Sequence, residues 1–154
     1  MELYLKNDDV DKLIALTKIL LSKHNIDLSS PSKGHLPIHS TVNQDQYCVD
    51  YFIRPGKSSL NFRELTYNYS ILRLNLNDGF HRNSDNTKVT GNRINVYSFE
   101  EFHDKGDSKT YMKAYSLPHL EFHNTSDPEI QLIQLLKYTN TNCKDKLFIS
   151  GKLV

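Results

Sequence analysis

The sequence predicts an α+β fold in which an antiparallel β-sheet meander carries an N-terminal and a C-terminal helix packed on one face. Apolar residues recur at three- and four-residue spacing near both ends of the chain, which is the pattern of amphipathic helices. Between these ends, short segments alternate apolar and polar residues and are separated by turn residues, as in hairpin-connected strands. Because the helices flank the strands instead of alternating with them, parallel βαβ units are not expected.

The N-terminal helix is predicted from Asn7 to about His24. Asn7 is expected to cap it, and Asp8 and Asp9 would lie in the first turn, near the positive end of the helix dipole. The apolar stripe is formed by residues three and four positions apart, namely Val10, Leu13, Ile14, Leu20 and Leu21.

Strands are predicted at 36–42, 46–54, 59–65, 69–77, 93–99 and 110–116, with connections at 78–92 and 100–109. In the second strand one face should carry Tyr47, Val49, Tyr51 and Ile53, and the other Cys48, Asp50, Phe52 and Arg54. In the fourth strand Leu72, Leu74 and Leu76 should point inward, opposite Arg73 and Asn75.

A second helix is predicted in 125–140, capped by Ser126 or Asp127, with Pro128 in its first turn. Its buried side is expected to contain Ile130, Ile133 and Leu136, with Leu132 as a further candidate. The last apolar segment, 146–154, could add an edge strand.

Length and composition favour one cytoplasmic domain covering residues 1–154. The net charge of +1 gives no composition-level reason to expect a nucleic-acid or membrane partner. The two cysteines, Cys48 and Cys143, form no C-x-x-C pair and have no histidine close in sequence, which argues against a zinc site and a disulfide framework. No metal and no cofactor are expected.

Two H-x-T tripeptides, at His39 to Thr41 and at His123 to Thr125, match the pattern of two-histidine phosphoesterases. In that chemistry one imidazole accepts a proton while the other donates one, and two threonine hydroxyls hold the phosphate. The second tripeptide runs directly into a predicted helix cap, where Thr125 has a simpler structural role. A cyclic-phosphate esterase using His39 and His123 is therefore an alternative hypothesis only.

The connection from Asp78 to Tyr97 offers a second enzymatic alternative. A metal-independent nuclease needs a general base, a general acid and a cation, which His81, Arg93, Tyr97 and His103 could supply. A metal site formed by His81, Asn83 and Asp85 with His103 or Glu100 is less favoured, because asparagine is a weak ligand outside calcium loops.

A third hypothesis is a regulator that binds nucleic acid. Tyr67 and Tyr69 lie close in sequence to Arg63 and Arg73, and on one exposed sheet face they could stack bases and contact phosphates. The alternative for most tyrosines is a half-buried position in the sheet.

The central segment 69–97 resembles an uncharacterised family of small bacterial and phage proteins with an L-R-L-(D/N)-I, H-x-N-P-D-G and I-x-G-x-H-x-H-I-Y core. The likeness spans about Leu13 to Tyr138. Ser84 and Asn86 replace the family's Pro and Gly, and Arg93 and Asn95 stand where the pattern has histidines. The matching residues are Leu72, Arg73, Leu74, Gly79, His81, Asn83, Asp85, Gly91 and Tyr97.

The first hypothesis for function is therefore a non-enzymatic binding protein of phage or mobile-element type. It is expected to contact a host protein, with an anti-CRISPR-like inhibitor of a defence nuclease as the concrete case, and the Asn-, Lys- and Ile-rich composition is typical of AT-rich genomes such as those of many phages. The expected binding residues are His81, Asn83, Asp85, Arg93, Asn95, Tyr97, Arg73, Tyr67 and Tyr69.

Overall fold

The computed structural model describes residues 2–151 and has an α+β architecture, as the sequence predicts. The helices are α1 (Asn7–Ala15), α2 (Phe99–Lys105) and α3 (Pro128–Tyr138). The strands are β1 (Lys18–Leu20), β2 (His24–Asp27), β3 (Ser32–Ser40), β4 (Gln46–Ile53), β5 (Ser58–Glu64), β6 (Ser70–Leu76), β7 (Phe80–Arg82), β8 (Lys88–Thr90), β9 (Arg93–Tyr97), β10 (Met112–Ser116), β11 (Thr141–Asn142) and β12 (Leu147–Ser150).

Eight strands form the main sheet in the order β10-β9-β6-β5-β4-β3-β1-β11. All neighbours in it are antiparallel except β1 and β11, so the predicted meander from β3 to β6 is confirmed. The strands β2 and β12 form a parallel pair, and β7 and β8 form a hairpin between β6 and β9 in the chain. No helix within residues 2–151 has the length and apolar character to cross a membrane.

The hydrophobic core lies on one face of the main sheet. Cross-strand partners place Leu36, Val49, Phe62 and Leu72 in one row on that face. Both terminal helices pack there, α1 through Val10 and α3 through three buried leucines, Leu132, Leu135 and Leu136. The predicted faces of β4 and β6 are thereby confirmed, and the opposite face of the sheet is left for polar side chains.

The N-terminal helix is shorter than predicted, because α1 ends at Ala15 and the segment up to His24 continues into β1 and the start of β2. Lys6, rather than Asn7, occupies the cap position. The β-branched Thr17 and Ile19 favour extended backbone, and pairing of β1 with β3 and β11 outweighs the helical spacing of the leucines.

A buried lysine joins the ends of both terminal helices to the sheet. The Lys18 ammonium donates to the carbonyl oxygens of Ile14 (3.0 Å), Leu16 (2.7 Å) and Thr139 (2.7 Å). The same nitrogen lies 5.1 Å from the ring centre of Tyr47, a cation–π distance. Lys18 therefore satisfies carbonyls that α1 and α3 leave unpaired at their C-terminal ends.

The C-terminal helix begins as predicted, and its buried side is predicted in part. Asp127 caps it by accepting from the backbone N–H groups of Glu129 and Ile130, and Pro128 opens the first turn. Ile130 and Ile133 are 46% and 47% exposed, so their predicted burial is wrong. Leu132 and Leu136 are buried as predicted, and Gln131 also faces inward, where it donates to the carbonyls of His123 and Thr125 in the preceding loop.

Besides β1, the sequence did not predict β2, β11, the β7–β8 hairpin or α2. All of these elements are short, so none shows a measurable periodicity in the sequence. The helix α2 begins where the Ser98 hydroxyl accepts from the Glu101 N–H, and it ends at Gly106, whose φ of 66° is in the left-handed region. The strand β12 confirms the predicted terminal strand within 147–150, although its partner is β2. Residues 152–154 lie outside the described part of the chain.

We expect the stability of the protein to rise with pH from about 8 upward relative to a Lys18→Met variant. Burial lowers the pKa of Lys18 from 10.5 to about 8, so between these values the folded state has lost a proton that the unfolded state retains. The free energy of unfolding of the wild type, minus that of the variant, should increase by at most about 1.4 kcal/mol per pH unit. Urea unfolding of both proteins, kept below the ordinary tyrosine pKa of about 10, measures it. If the stability of the wild type relative to the variant stays constant or falls over this pH range, Lys18 does not titrate as a buried lysine.

Candidate functional site

The predicted binding segment, 78–97, is largely an anchored hairpin. Asn83 is buried and its amide pairs with the backbone of Ala114 at the outer edge of β10: Nδ2 donates to the carbonyl (2.9 Å) and Oδ1 accepts from the N–H (2.8 Å). A side-chain amide thus completes an edge strand that would otherwise expose these backbone groups. Asn83 has a structural role that occupies both of its polar atoms.

The tip of this hairpin is also fixed from within. The buried Glu101 carboxylate accepts from the N–H (2.9 Å) and hydroxyl of Ser84, which ties the tip to α2. Asp85 accepts from the N–H of Thr87 (2.9 Å), and Asn86 adopts a φ of 69°, the left-handed backbone expected where the family pattern has glycine. Hydrogen bonds thus hold the turn in place, while its residues Asp85, Asn86 and Thr87 are exposed.

His81, Arg93 and Asn95 are half-buried or buried near the base of the hairpin. Arg93 donates through Nη1 to Asn77 Oδ1 and the Gly91 carbonyl, both at 2.9 Å. Burial lowers the pKa of His81, and the positive charges of Lys105 and Arg93 act in the same direction. The His81 Nε2, Arg93 Nε and Asn95 Oδ1 atoms are buried without a hydrogen-bond partner.

The predicted tyrosines contact other partners than these three residues do. Tyr97 is buried and donates its hydroxyl to the Leu5 carbonyl at 2.6 Å, and burial raises its pKa well above the ordinary value. Tyr69 is buried beside Tyr97 and Tyr111, whereas Tyr67 is 44% exposed and stacks on both Tyr69 and Tyr4. These tyrosines secure the N-terminal segment against the sheet.

The two H-x-T tripeptides lie in different surroundings. His39 is on β3, and the Thr41 hydroxyl bonds to Thr17. His123 is exposed in the loop before α3, where the Thr125 hydroxyl accepts from the Asp127 N–H at 3.1 Å. Both threonines thus have local partners, and the pair of facing strand motifs that the esterase chemistry needs is not formed, since 121–127 contains no strand.

The polar side chains of the sheet form a continuous surface on the side opposite the core, which we call the polar face. Register places His35, Asp50, Asn61, Arg73 and Asn95 side by side across β3, β4, β5, β6 and β9. A second row runs parallel to it and consists of Lys33, Phe52, Ser59, Asn75 and Arg93. Cys48 and Arg63 are paired next to the first row.

Asp50 is the centre of this face. Arg63 binds it through two hydrogen bonds, Nε to Oδ2 at 3.0 Å and Nη2 to Oδ1 at 3.1 Å. His35 Nδ1 lies 3.3 Å and Cys48 Sγ 3.5 Å from Oδ1. Burial opposes ionisation of Asp50, but the bonds and charge of Arg63 outweigh it and lower its pKa. Burial, followed by the charge of Asp50, raises the pKa of Cys48 to about 11.

A cavity of about 330 Å³ opens on the polar face beside this cluster. Phe52 supplies an aromatic wall, and Arg54 and Lys33 lie over its ring, with the guanidinium carbon 4.7 Å and the ammonium 5.9 Å from the ring centre. Asn61 lines the cavity and is 8% exposed, and its Oδ1 is buried without a partner. Buried polar groups normally have partners, so an unfilled acceptor beside an open cavity suits a ligand.

The charge of the polar face differs from that of the whole chain. It carries five cations, Lys33, Arg54, Arg63, Arg73 and Arg93, and one strand carboxylate, Asp50. The chain as a whole has a net charge of only +1. Positive charge is thus concentrated on one side of the sheet, which composition could not reveal.

A family model matches residues 5–141, which cover nearly the whole of this fold. The chain belongs to the family of unknown function DUF6978. The expected membership of an uncharacterised family is confirmed, while the predicted motif and its bacterial or phage source stay predictions. No curated protein and no solved structure matches the chain.

The residues that sequence reasoning missed are His35, Asp50 and Asn61. The outward position of Asp50 was predicted from alternation in β4, but its neighbours depend on register between strands. The β3–β4 hairpin was the available signal, because aligning its two strands about the 41–45 turn brings His35 opposite Asp50.

We expect Asn83→Ala to lower the free energy of unfolding by about 1–3 kcal/mol, because both backbone groups of Ala114 at the strand edge lose their partner. Urea unfolding measures the change, and Asn124→Ala, at an exposed position before α3, is the matched control. Equal effects of the two substitutions would show that the Asn83 amide does not stabilise the edge.

Proposed function

We propose that this protein is a non-enzymatic binding protein that holds a single strand of nucleic acid on the polar face. The carrying observation is the concentration of cations on one side of the sheet, where Lys33 and Arg73 line a cavity with an aromatic wall. Single-strand binding proteins combine a positively charged surface for phosphates with rings on which bases stack. Arg73 and Phe52 are the residues assigned to these two tasks.

The dimensions of the surface fit this partner. Neighbouring strands lie about 4.8 Å apart, so the row from β3 to β9 extends over about 19 Å, enough for several consecutive phosphates. The Asn61 and Asn75 amides line the cavity between Phe52 and Arg73, where their donors and acceptors could bond to base edges. Arg63 contributes less than its charge suggests, since Asp50 already holds it.

The positive charge of the polar face also distinguishes a nucleic-acid partner from a nuclease partner. The nucleic-acid channel of a nuclease is itself positively charged, so a basic face would be repelled by it. Nucleic acid is attracted by the same face. The polar face therefore favours nucleic acid over the direct channel-blocking form of the expected defence inhibitor.

We expect fluorescence anisotropy with labelled single-stranded RNA and DNA to show binding that weakens steeply with salt, with a slope of log K against log salt of roughly −2 to −3 for three or four phosphate contacts. Arg73→Ala should weaken binding and reduce the slope by about 1, whereas Arg73→Lys should retain the slope. Lys12→Ala is the control, because Lys12 is exposed on α1, on the core side of the sheet.

Salt-independent binding, or an equal loss in Arg73→Ala and Lys12→Ala, would contradict the assignment of the polar face. Gel analysis of the oligonucleotides after incubation with EDTA checks the alternative of a metal-independent nuclease. Cleavage that disappears in His81→Ala would support that alternative instead.

A second candidate function is contact with a host protein, as in the phage-type inhibitor of a defence system expected from the sequence. The observation that favours it is an exposed aromatic pair: Tyr4 is 63% and Tyr67 44% exposed, and their ring centres lie 5.2 Å apart. Tyrosine is enriched in the energetically important centres of protein interfaces. A bacterial or phage source of the chain is part of this proposal.

If this second candidate is correct, tagged wild-type protein should recover a stoichiometric partner from host lysate and relieve interference by a defence nuclease. Tyr67→Ala should reduce both effects because it removes the centre of the stack. Phe148→Ala, at an aromatic residue of similar exposure on β12, should leave both unchanged. Recovery that is insensitive to Tyr67→Ala would exclude the tyrosine pair as the contact.

A further inference from the structure

The polar face brings together three side chains of the kinds that bind transition metals. His35 Nδ1, Cys48 Sγ and an Asp50 carboxylate oxygen all lie within 4.8 Å of one another. They belong to the adjacent strands β3 and β4, so a regular antiparallel hairpin holds their backbones in place. Zinc in proteins is bound by this set of nitrogen, sulfur and oxygen ligands.

We propose that His35, Cys48 and Asp50 form a binding site for Zn²⁺ or a related divalent transition metal. This site shares a cavity with the proposed nucleic-acid surface, but it does not rest on nucleic-acid binding, and its test uses the metal alone. Three protein ligands leave the fourth tetrahedral position to water or to an exogenous ligand. On binding, the Cys48 thiol loses its proton to solvent, because the thiolate is the ligand.

Two of the three separations between the ligand atoms, those that involve Asp50, agree with a tetrahedral centre. Zinc bonds of about 2.0–2.1 Å to nitrogen and oxygen and about 2.3 Å to sulfur, at tetrahedral angles, place N and O about 3.3 Å apart and S and O about 3.5 Å apart. The Asp50 Oδ1 atom lies 3.3 Å from His35 Nδ1 and 3.5 Å from Cys48 Sγ. Hydrogen bonds account for these distances without a metal, and coordination would replace them at almost the same spacing.

The freedom of each ligand suits metal capture. Cys48 is buried and Asp50 is held by Arg63, so two ligands are fixed in advance. The His35 side chain is 71% exposed and can rotate to close the site. A carboxylate has about four lone-pair positions, so Asp50 can bind a metal through Oδ1 while it retains hydrogen bonds from Arg63. Arg63 then orients a metal ligand from outside the coordination shell.

A second feature points to a ligand at the same place. The Asn61 amide lies beside Asp50, with Nδ2 3.4 Å from Oδ2, and its buried Oδ1 has no partner. Asn61 lines the cavity together with His35 and Asp50. A water molecule in the fourth coordination position could donate to this oxygen, which would satisfy an acceptor that the protein itself leaves unpaired.

Titration of the reduced protein with Co²⁺, followed by visible and near-ultraviolet absorption, tests the site. We expect one equivalent to bind with a thiolate-to-cobalt charge-transfer band and tetrahedral d–d bands, and Zn²⁺ should displace both. Cys48→Ser should abolish the charge-transfer band, and His35→Ala should weaken binding by at least about tenfold, since even partners outside the coordination shell contribute this much.

Two variants serve as matched controls. Cys143→Ser removes the other free thiol, and His39→Ala removes a histidine on the same strand and face as His35, so both should bind Co²⁺ as the wild type does. Thermal unfolding in EDTA must show that Cys48→Ser is folded. Absence of a charge-transfer band in the wild type, or its loss in Cys143→Ser with retention in Cys48→Ser, would overturn the proposal.

Discussion

The buried ammonium of Lys18 holds together the parts of the fold that meet at one end of the sheet. The ends of α1 and α3 leave carbonyl groups unpaired, and burying such groups costs free energy unless a donor reaches them. Lys18 reaches carbonyls of both helices from β1, and Tyr47 and Phe62 lie within cation–π range of it. Lys18 therefore links the C-terminal ends of both helices to β1, on the face where their apolar residues pack.

With both helices on the core side, the other side of the sheet is free to be polar. At its centre Asp50 is fixed by Arg63 from the adjacent strand β5. Such a surface can be rigid without being apolar. That combination suits a binding site, because the side chains lose little conformational freedom when a ligand arrives.

The hairpin formed by β7 and β8 illustrates how a polar segment can serve the fold instead of a ligand. In the sequence, the polar residues of this hairpin and its glutamate partner suggest a functional site. They are concentrated there, and such residues are uncommon in strands. In the structure Asn83 and Ser84 are used to finish the edge of the sheet and to attach α2. The candidate site consequently moves from the hairpin to the middle of the sheet.

The sequence by itself determined the local features of this protein: the alternation of β4 and β6, the Asp127 cap, and the division of side chains between two faces. Each depends on residues within a few positions of one another, whose spacing reads directly as backbone periodicity. The end of α1 was misjudged because pairing of β1 with distant strands outweighed helical spacing. Only the tertiary structure decided which polar side chains come into contact. Alternation places Cys48 and Asp50 on one face of β4, but only strand register, a non-local property, brings His35 beside them.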